Sequence, residues 1–104
     1  MEKLLIPHKN HLYLIPYAEI IFFKSDNCYV ETHLADNRKF VLTTSLSKFQ
    51  HEINRKDFIK ISQSFLINKN FIISIDKKGR LINLINNHQV PFTITIKSLI
   101  EMIW

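Results

Sequence analysis

The apolar residues of this chain come in short runs that recur roughly every ten residues, each cut off by a cluster of Asn, Asp, Ser or Lys. Such runs, separated by polar clusters, are the signature of a meandering all-β chain. The residue types agree, because Ile, Phe, Leu, Val and Tyr dominate, while Ala appears only as Ala18 and Ala35. β-Branched and aromatic side chains pack well on a pleated, half-buried surface. One Gly and three Pro leave the turns to Asn, Asp, Ser and Lys. Asn and Asp suit that task, since they tolerate the left-handed backbone and bond their own turn.

Taken in order, residues 11–15 alternate weakly and stop at Pro16. Ile20, Ile21, Phe22 and Phe23 form an unbroken apolar run, so both faces of that strand should be covered. Ser25, Asp26 and Asn27 make a turn into residues 28–34, where Tyr29 and Glu31 alternate with Val30 and Thr32. Asp36 and Asn37 turn the chain into residues 39–42, closing a hairpin. The period then changes. Leu46, Phe49 and Ile53 share one helical stripe, with Ser45 placed to cap the first turn. Strands follow at residues 58–61, 65–67 and 71–75. The Asp76-Lys77-Lys78-Gly79 turn leads to residues 80–85, and Asn86-Asn87-His88 to residues 89–92. Ser98 is placed to cap a last helical turn through Leu99, Ile100 and Ile103. The fold class expected is mostly β, with one short helix near the middle.

The 104 residues correspond to one domain, 1–104, able to bury roughly 65% of the surface of its unfolded chain. Apolar residues at 46% and charged ones at 22% are an ordinary globular mix. Fourteen Lys and Arg against nine acidic residues give a net charge of +5, which biases partners towards polyanions, nucleic acid first. Cys28 is the only cysteine, so an internal disulfide is excluded and a reducing compartment fits. No run reaches the roughly 18 apolar residues of a membrane span, and the N-terminus lacks the features of a signal peptide. The expected location is the cytoplasm.

Catalytic chemistry finds no support. His8, His11, His33, His51 and His88 show no metal-ligand spacing, and a single glycine cannot build a phosphate-binding loop. Ser62 and Ser64 lack a nucleophile-elbow context, and the carboxylates are scattered over turns and strand edges. Neither enzymatic activity nor a cofactor is expected.

The informative stretch is FIKISQSFLINKNFI, residues 58–72. Two strongly apolar strands frame a short polar segment containing Lys60, Ser62, Gln63 and Ser64, and a second one at Asn68, Lys69 and Asn70. A rigid apolar frame holding a cation and an amide has the chemistry to bind DNA. Lysine anchors on phosphate, and glutamine can pair with the adenine edge in the major groove. The same pattern also fits a plain strand–turn–strand with a soluble loop.

This stretch resembles the LytTR DNA-binding domain, the output module of many bacterial two-component response regulators. The resemblance rests here on Phe58, Lys60, Ser64, Phe65, Leu66, Ile67, Asn68 and Ile72. Upstream, EIIFFKSDNCYVETH and LTTSLSKFQHEI are similar to the family's Ile-rich strand with its Asn-x-Tyr-Val pattern and to the lead into its central helix. Downstream, NNHQVPFTITI is similar to the final hairpin. The match runs from about residue 4 to residue 103, in order.

The resemblance implies about ten short strands in small antiparallel sheets, and transcription regulation through double-stranded DNA. Polar loops would enter successive major grooves at repeated half-sites. By position the DNA-facing places are three: Asp26, Asn27, Cys28 and Tyr29; Ser62 and Gln63 flanked by Lys60; and the hairpin end at residues 93–97, with Thr95 and Lys97. Lys69 and Lys24 are expected to join them, with some of Arg38, Lys39, Lys77, Lys78 and Arg80. The chain departs from the family in having Ser62-Gln63 where His-Arg or His-Asn is frequent, and no Arg near Thr95. A receiver domain does not fit in 104 residues. With no dimerisation helix, the expectation is a monomer that pairs on DNA. Two other functions compatible with the composition are a single-strand binder stacking bases on Tyr13, Tyr17 and Tyr29, and a module that docks a protein on an edge strand.

Overall fold

The computed structural model describes residues 3–53 and 55–104. Among the described residues, ten strands, two α-helices and two 3₁₀ turns follow one another. β1 (Lys3–His8) and β2 (His11–Pro16) form a hairpin. β3 (Ile20–Asp26), β4 (Tyr29–Leu34) and β5 (Lys39–Thr43) lead into α1 (Leu46–Ile53). β6 (Phe58–Lys60) and β7 (Phe65–Asn68) complete a five-stranded antiparallel sheet of order β5-β4-β3-β7-β6. β8 (Ile72–Asp76), β9 (Leu81–Leu84) and β10 (His88–Pro91) form a three-stranded antiparallel sheet, and α2 (Ile96–Ile103) ends the fold.

The central run behaves as its composition requires. Ile20, Ile21 and Phe23 are fully buried and Phe22 is 4% exposed, in the middle strand of the larger sheet. The β3–β4 register shifts between Ile20 and Phe22; a bulge of this kind re-aims side chains. Ile20 and Phe23 pack into one core with Ile6, Ile15, Val30, Phe40, Leu46, Phe49 and Leu66. Ile21 and Phe22 pack into a second core with Ile59, Ile67, Ile82, Val90, Phe92 and Leu99. The five-stranded sheet is therefore covered on one face by the β1–β2 hairpin and α1, and on the other by the smaller sheet and α2.

Turn chemistry follows the residues available. Lys9, Asn27, Asn37, Arg80, Asn86 and Asn87 all have positive φ, four of them the Asn that tolerates this region best. Asn86 and Asn87, at φ 60 and 62, take the left-handed backbone within the three-residue connection between the paired Leu84 and His88. Gly79 has no positive φ; its lack of a side chain makes room, since a Cβ there would lie 2.6 Å from Asp76 Oδ2.

Some sequence expectations need correction. β1 was not foreseen as a strand; its Leu4, Leu5 and Ile6 pair with Ile15, Leu14 and Tyr13. The strand expected at residues 71–75 begins at Ile72, because Lys69–Phe71 is a 3₁₀ turn in which Asn68 Oδ1 accepts from the Asn70 amide. Residues 93–97 are not a hairpin end: α2 starts at Ile96, and its cap is Thr95, whose side chain accepts from the Ser98 amide at 3.1 Å. A β-branched hydroxyl in the extended backbone just before a helix satisfies an orphan donor, so Ser98 is the capped residue rather than the cap. Ser45 does cap α1, its Oγ accepting from the Lys48 amide at 3.2 Å.

Candidate nucleic-acid interface

Antiparallel pairing sorts the loops of this fold to two ends. β3 runs from Ile20 towards Asp26, and β7 runs back beside it, with Lys24 opposite Phe65 and Phe22 opposite Ile67. The turn after β3 and the loop before β7 therefore lie side by side. The Ser25 amide donates to the Ser64 carbonyl at 2.8 Å and joins them. On the other side of that loop, the Thr93 amide donates to the Ile61 carbonyl at 2.9 Å. Three polar segments thus stand in a row: the turn at Asn27, the loop at residues 62–64, and residues 93–95 leading into α2. A groove lined by Ser62, Gln63, Ser64, Phe65, Pro91 and Thr93 runs between the second and third.

Within this row each side chain has a definite role. Ser62 Oγ accepts from the amides of Ser64 and Phe65, both at 3.2 Å, so it shapes the loop and keeps only its hydroxyl proton to offer. Gln63 and Asn27 are exposed, and neither side chain has a hydrogen-bond partner among the described residues. Tyr29 is 49% exposed at the start of β4. Thr95 spends its hydroxyl on Ser98, and Lys97 is exposed in the first turn of α2. Lys60 is half-buried, with Nζ 3.5 Å from Ser47 Oγ at the start of α1. It points to the α1 side of the sheet, as Phe58 does two residues earlier.

Lys69 does not join the row. It follows β7 at the end opposite the 62–64 loop, roughly 15 Å away at about 3.3 Å per strand residue, and its amide donates to the Asp57 carbonyl. Arg38 and Lys39 lie at that same far end. Arg38 is bound to Asp36 at 2.8 Å, and the adjoining Ala35 and Asn37 meet Asn86 of the β9–β10 turn. The proposed stacking residues separate as well. Tyr17 is buried in the first core and Tyr13 packs on Phe40 at 4.9 Å, which leaves Tyr29 as the exposed one.

Sequence reasoning missed a segment at this end. Tyr29 pairs with Thr43, so the passage from β5 into α1, with Thr43, Ser47 and Lys48, lies beside the first loop. Antiparallel pairing of the strands at residues 28–34 and 39–42 is the signal that would have located it. Among the described residues no cluster of His, Cys, Asp or Glu could hold a metal ion, Cys28 is a free, exposed thiol, and no helix is long and apolar enough to cross a membrane.

The family model of the LytTr DNA-binding domain matches residues 10–103. Among solved structures, the chain is similar to the LytTr DNA-binding domain of a Bacillus cereus protein assigned as a methyl-accepting/DNA response regulator. The TM-score is 0.81 at 16% identity, covering 99% of this chain and 96% of that one. At that identity the likeness speaks for the fold. No curated protein matches the chain.

Proposed function

The chain belongs to the LytTr DNA-binding domain family, and on that premise we propose that it reads duplex DNA through the three bonded loops, as the output module of a transcription regulator in the cytoplasm. The observation that carries the proposal is the row itself. Two backbone hydrogen bonds hold the three segments in fixed order, and the amide of Gln63, which makes no hydrogen bond among the described residues, sits in the middle one. Free amide groups on a rigid frame are what base-edge recognition needs, because folding has already ordered the backbone that presents them and only side-chain rotamers remain to be fixed. Exposed Lys24 and Lys97 flank the row and supply sequence-independent attraction to phosphate.

The polar loops enter successive major grooves, with Gln63 of the 62–64 loop at a base edge. Asn27, Tyr29 and Gln63 supply base contacts, Ser62 a hydroxyl, Lys60 and Lys97 phosphate contacts, and Thr95 holds the start of α2 in register. Lys69, at the other end, takes no part. One chain binds one half-site, and pairs form on repeated half-sites.

Selection from randomised duplexes at two salt concentrations tests this. The expected outcome is one enriched motif at both, with weaker binding at the higher salt. Recovery of no motif, or preferential capture of single strands, would overturn it.

A further inference from the structure

Beyond the third loop, the β8–β9 turn carries Lys77, Lys78 and Arg80, and the fold brings it to the same end as the three loops. Asp76 pairs with Leu81, and Leu81 with Pro91, so the turn sits beside the exit of β10. The Phe92 amide donates to the Arg80 carbonyl at 3.1 Å, one residue before Thr93 binds Ile61. The Arg80 guanidinium lies over the Phe92 ring, 4.5 Å from its centroid, and donates to the Ile94 carbonyl. Arg80 is thus occupied in fastening this turn to the third loop.

Lys77 and Lys78 are left exposed at the tip, and neither forms an ion pair among the described residues. The nearest carboxylate in sequence, Asp76, is engaged by the Gly79 amide at 2.9 Å. The tip carries no amide or aromatic side chain for reading bases, so its chemistry is that of a phosphate contact. A duplex offers one phosphate charge per ~1.7 Å of its axis, so a cationic tip lying alongside the row meets phosphates whatever the sequence.

We propose that the β8–β9 turn is a fourth contact, in which Lys77 and Lys78 grip duplex phosphates beyond the third loop while Arg80 ties that grip to the loop. This rests on the duplex-binding reading above. The test measures affinity of the full chain for a randomised-sequence duplex over a range of salt. It compares the unaltered chain, K77A/K78A, and a control, K9A/K56A. In the control, Lys9 stands at the β1–β2 tip and Lys56 precedes β6, both towards the far end. All four residues are exposed, and a thermal melt verifies folding of each variant.

The expected result is a slope of log affinity against log salt that is shallower by about 1.8 units in K77A/K78A, at ~0.9 per phosphate contact. The control should keep the original slope. An original slope in K77A/K78A, with the unaltered chain binding normally, would overturn the fourth contact and leave the three-loop reading standing. Equal flattening in both double variants would reduce the effect to net charge and also overturn it. Failure of the unaltered chain to bind any duplex would remove both readings.

Discussion

The His33 ring lies flat on Phe22, with centroids 4.3 Å apart and planes within 12°. His88, from the smaller sheet, meets both rings edge-on, at 5.0 Å from Phe22 and 5.5 Å from His33. Two imidazoles thus sit in the seam between the sheets. Burial pushes the pKa of His33 below its ordinary value, and His88 and Lys39 add to that; the hydrogen bond to Glu31 and its charge oppose it without prevailing. Neutral His33 donates through Nε2 to Glu31 Oε1 at 3.0 Å. That bond, with Lys39, His33 and Lys24 nearby, holds the Glu31 carboxyl below its usual range.

Acid should therefore loosen the seam. A histidine whose folded pKa is depressed binds more protons when unfolded, so its contribution is complete above about pH 6.5 and declines as pH falls below that value. Glu31 acts in the same sense at lower pH, its contribution lost as pH falls through its depressed folded value. Denaturant midpoints measured from pH 8 to pH 5 should fall, with the drop beginning near pH 6.5. H33Q should flatten that fall; an unchanged profile in H33Q would place the titration elsewhere.

Replacing Gln63 should affect recognition without affecting the fold, because its side chain is exposed and makes no hydrogen bond among the described residues. Q63A should lose about 1–3 kcal/mol on the selected duplex and little on random DNA. Equal losses on both would remove Gln63 from base readout.

Lys60 should behave differently. K60A should weaken binding to all duplexes alike and flatten the salt slope by about one unit. An unchanged slope would mean that its bond to Ser47 keeps the ammonium away from phosphate, and a sequence-dependent loss would mean that it reads bases instead.

Asn68 is 1% exposed; its Nδ2 donates to the Ile20 carbonyl at 3.0 Å and its Oδ1 accepts from the Asn70 amide at 3.0 Å. It joins the end of β7 to the start of β3. N68A would leave a buried carbonyl unpaired and should cost about 1–3 kcal/mol, read from urea unfolding, with the DNA salt slope unchanged in the folded protein.

Thr32 presents the reverse case. Its Oγ1 is buried with no hydrogen-bond partner among the described residues, between Val30 and Leu34 on the face towards α1. T32V removes that unsatisfied hydroxyl and should raise stability by about 1 kcal/mol. A lower urea midpoint in T32V would show that the hydroxyl is satisfied in solution.

Much of this architecture is legible locally. A run such as Ile20 to Phe23 announces a strand covered on both faces, because no polar side chain interrupts it. Leu46, Phe49 and Ile53 announce α1 because helical periodicity shows within a few residues. Asn27, Asn37, Asn86 and Asn87 mark turns because their side chains tolerate a backbone that others avoid. Thr95 was harder to read as a cap. Two hydroxyls, Thr95 and Ser98, compete for the role, and the choice depends on where Leu99 must point to reach the second core.

Which polar segments share an end is another matter. Lys60, Gln63 and Lys69 lie close together along the chain with similar character, yet Lys69 faces away because a whole strand separates it from Gln63. Conversely, Ser25 and Ser64, or Ile61 and Thr93, are far apart along the chain and come together only through strand pairing. Residue type and period are local quantities, written in the order of side chains. Adjacency of loops follows from register, the β3 bulge and the stacking of two sheets, which form only when the whole chain has folded.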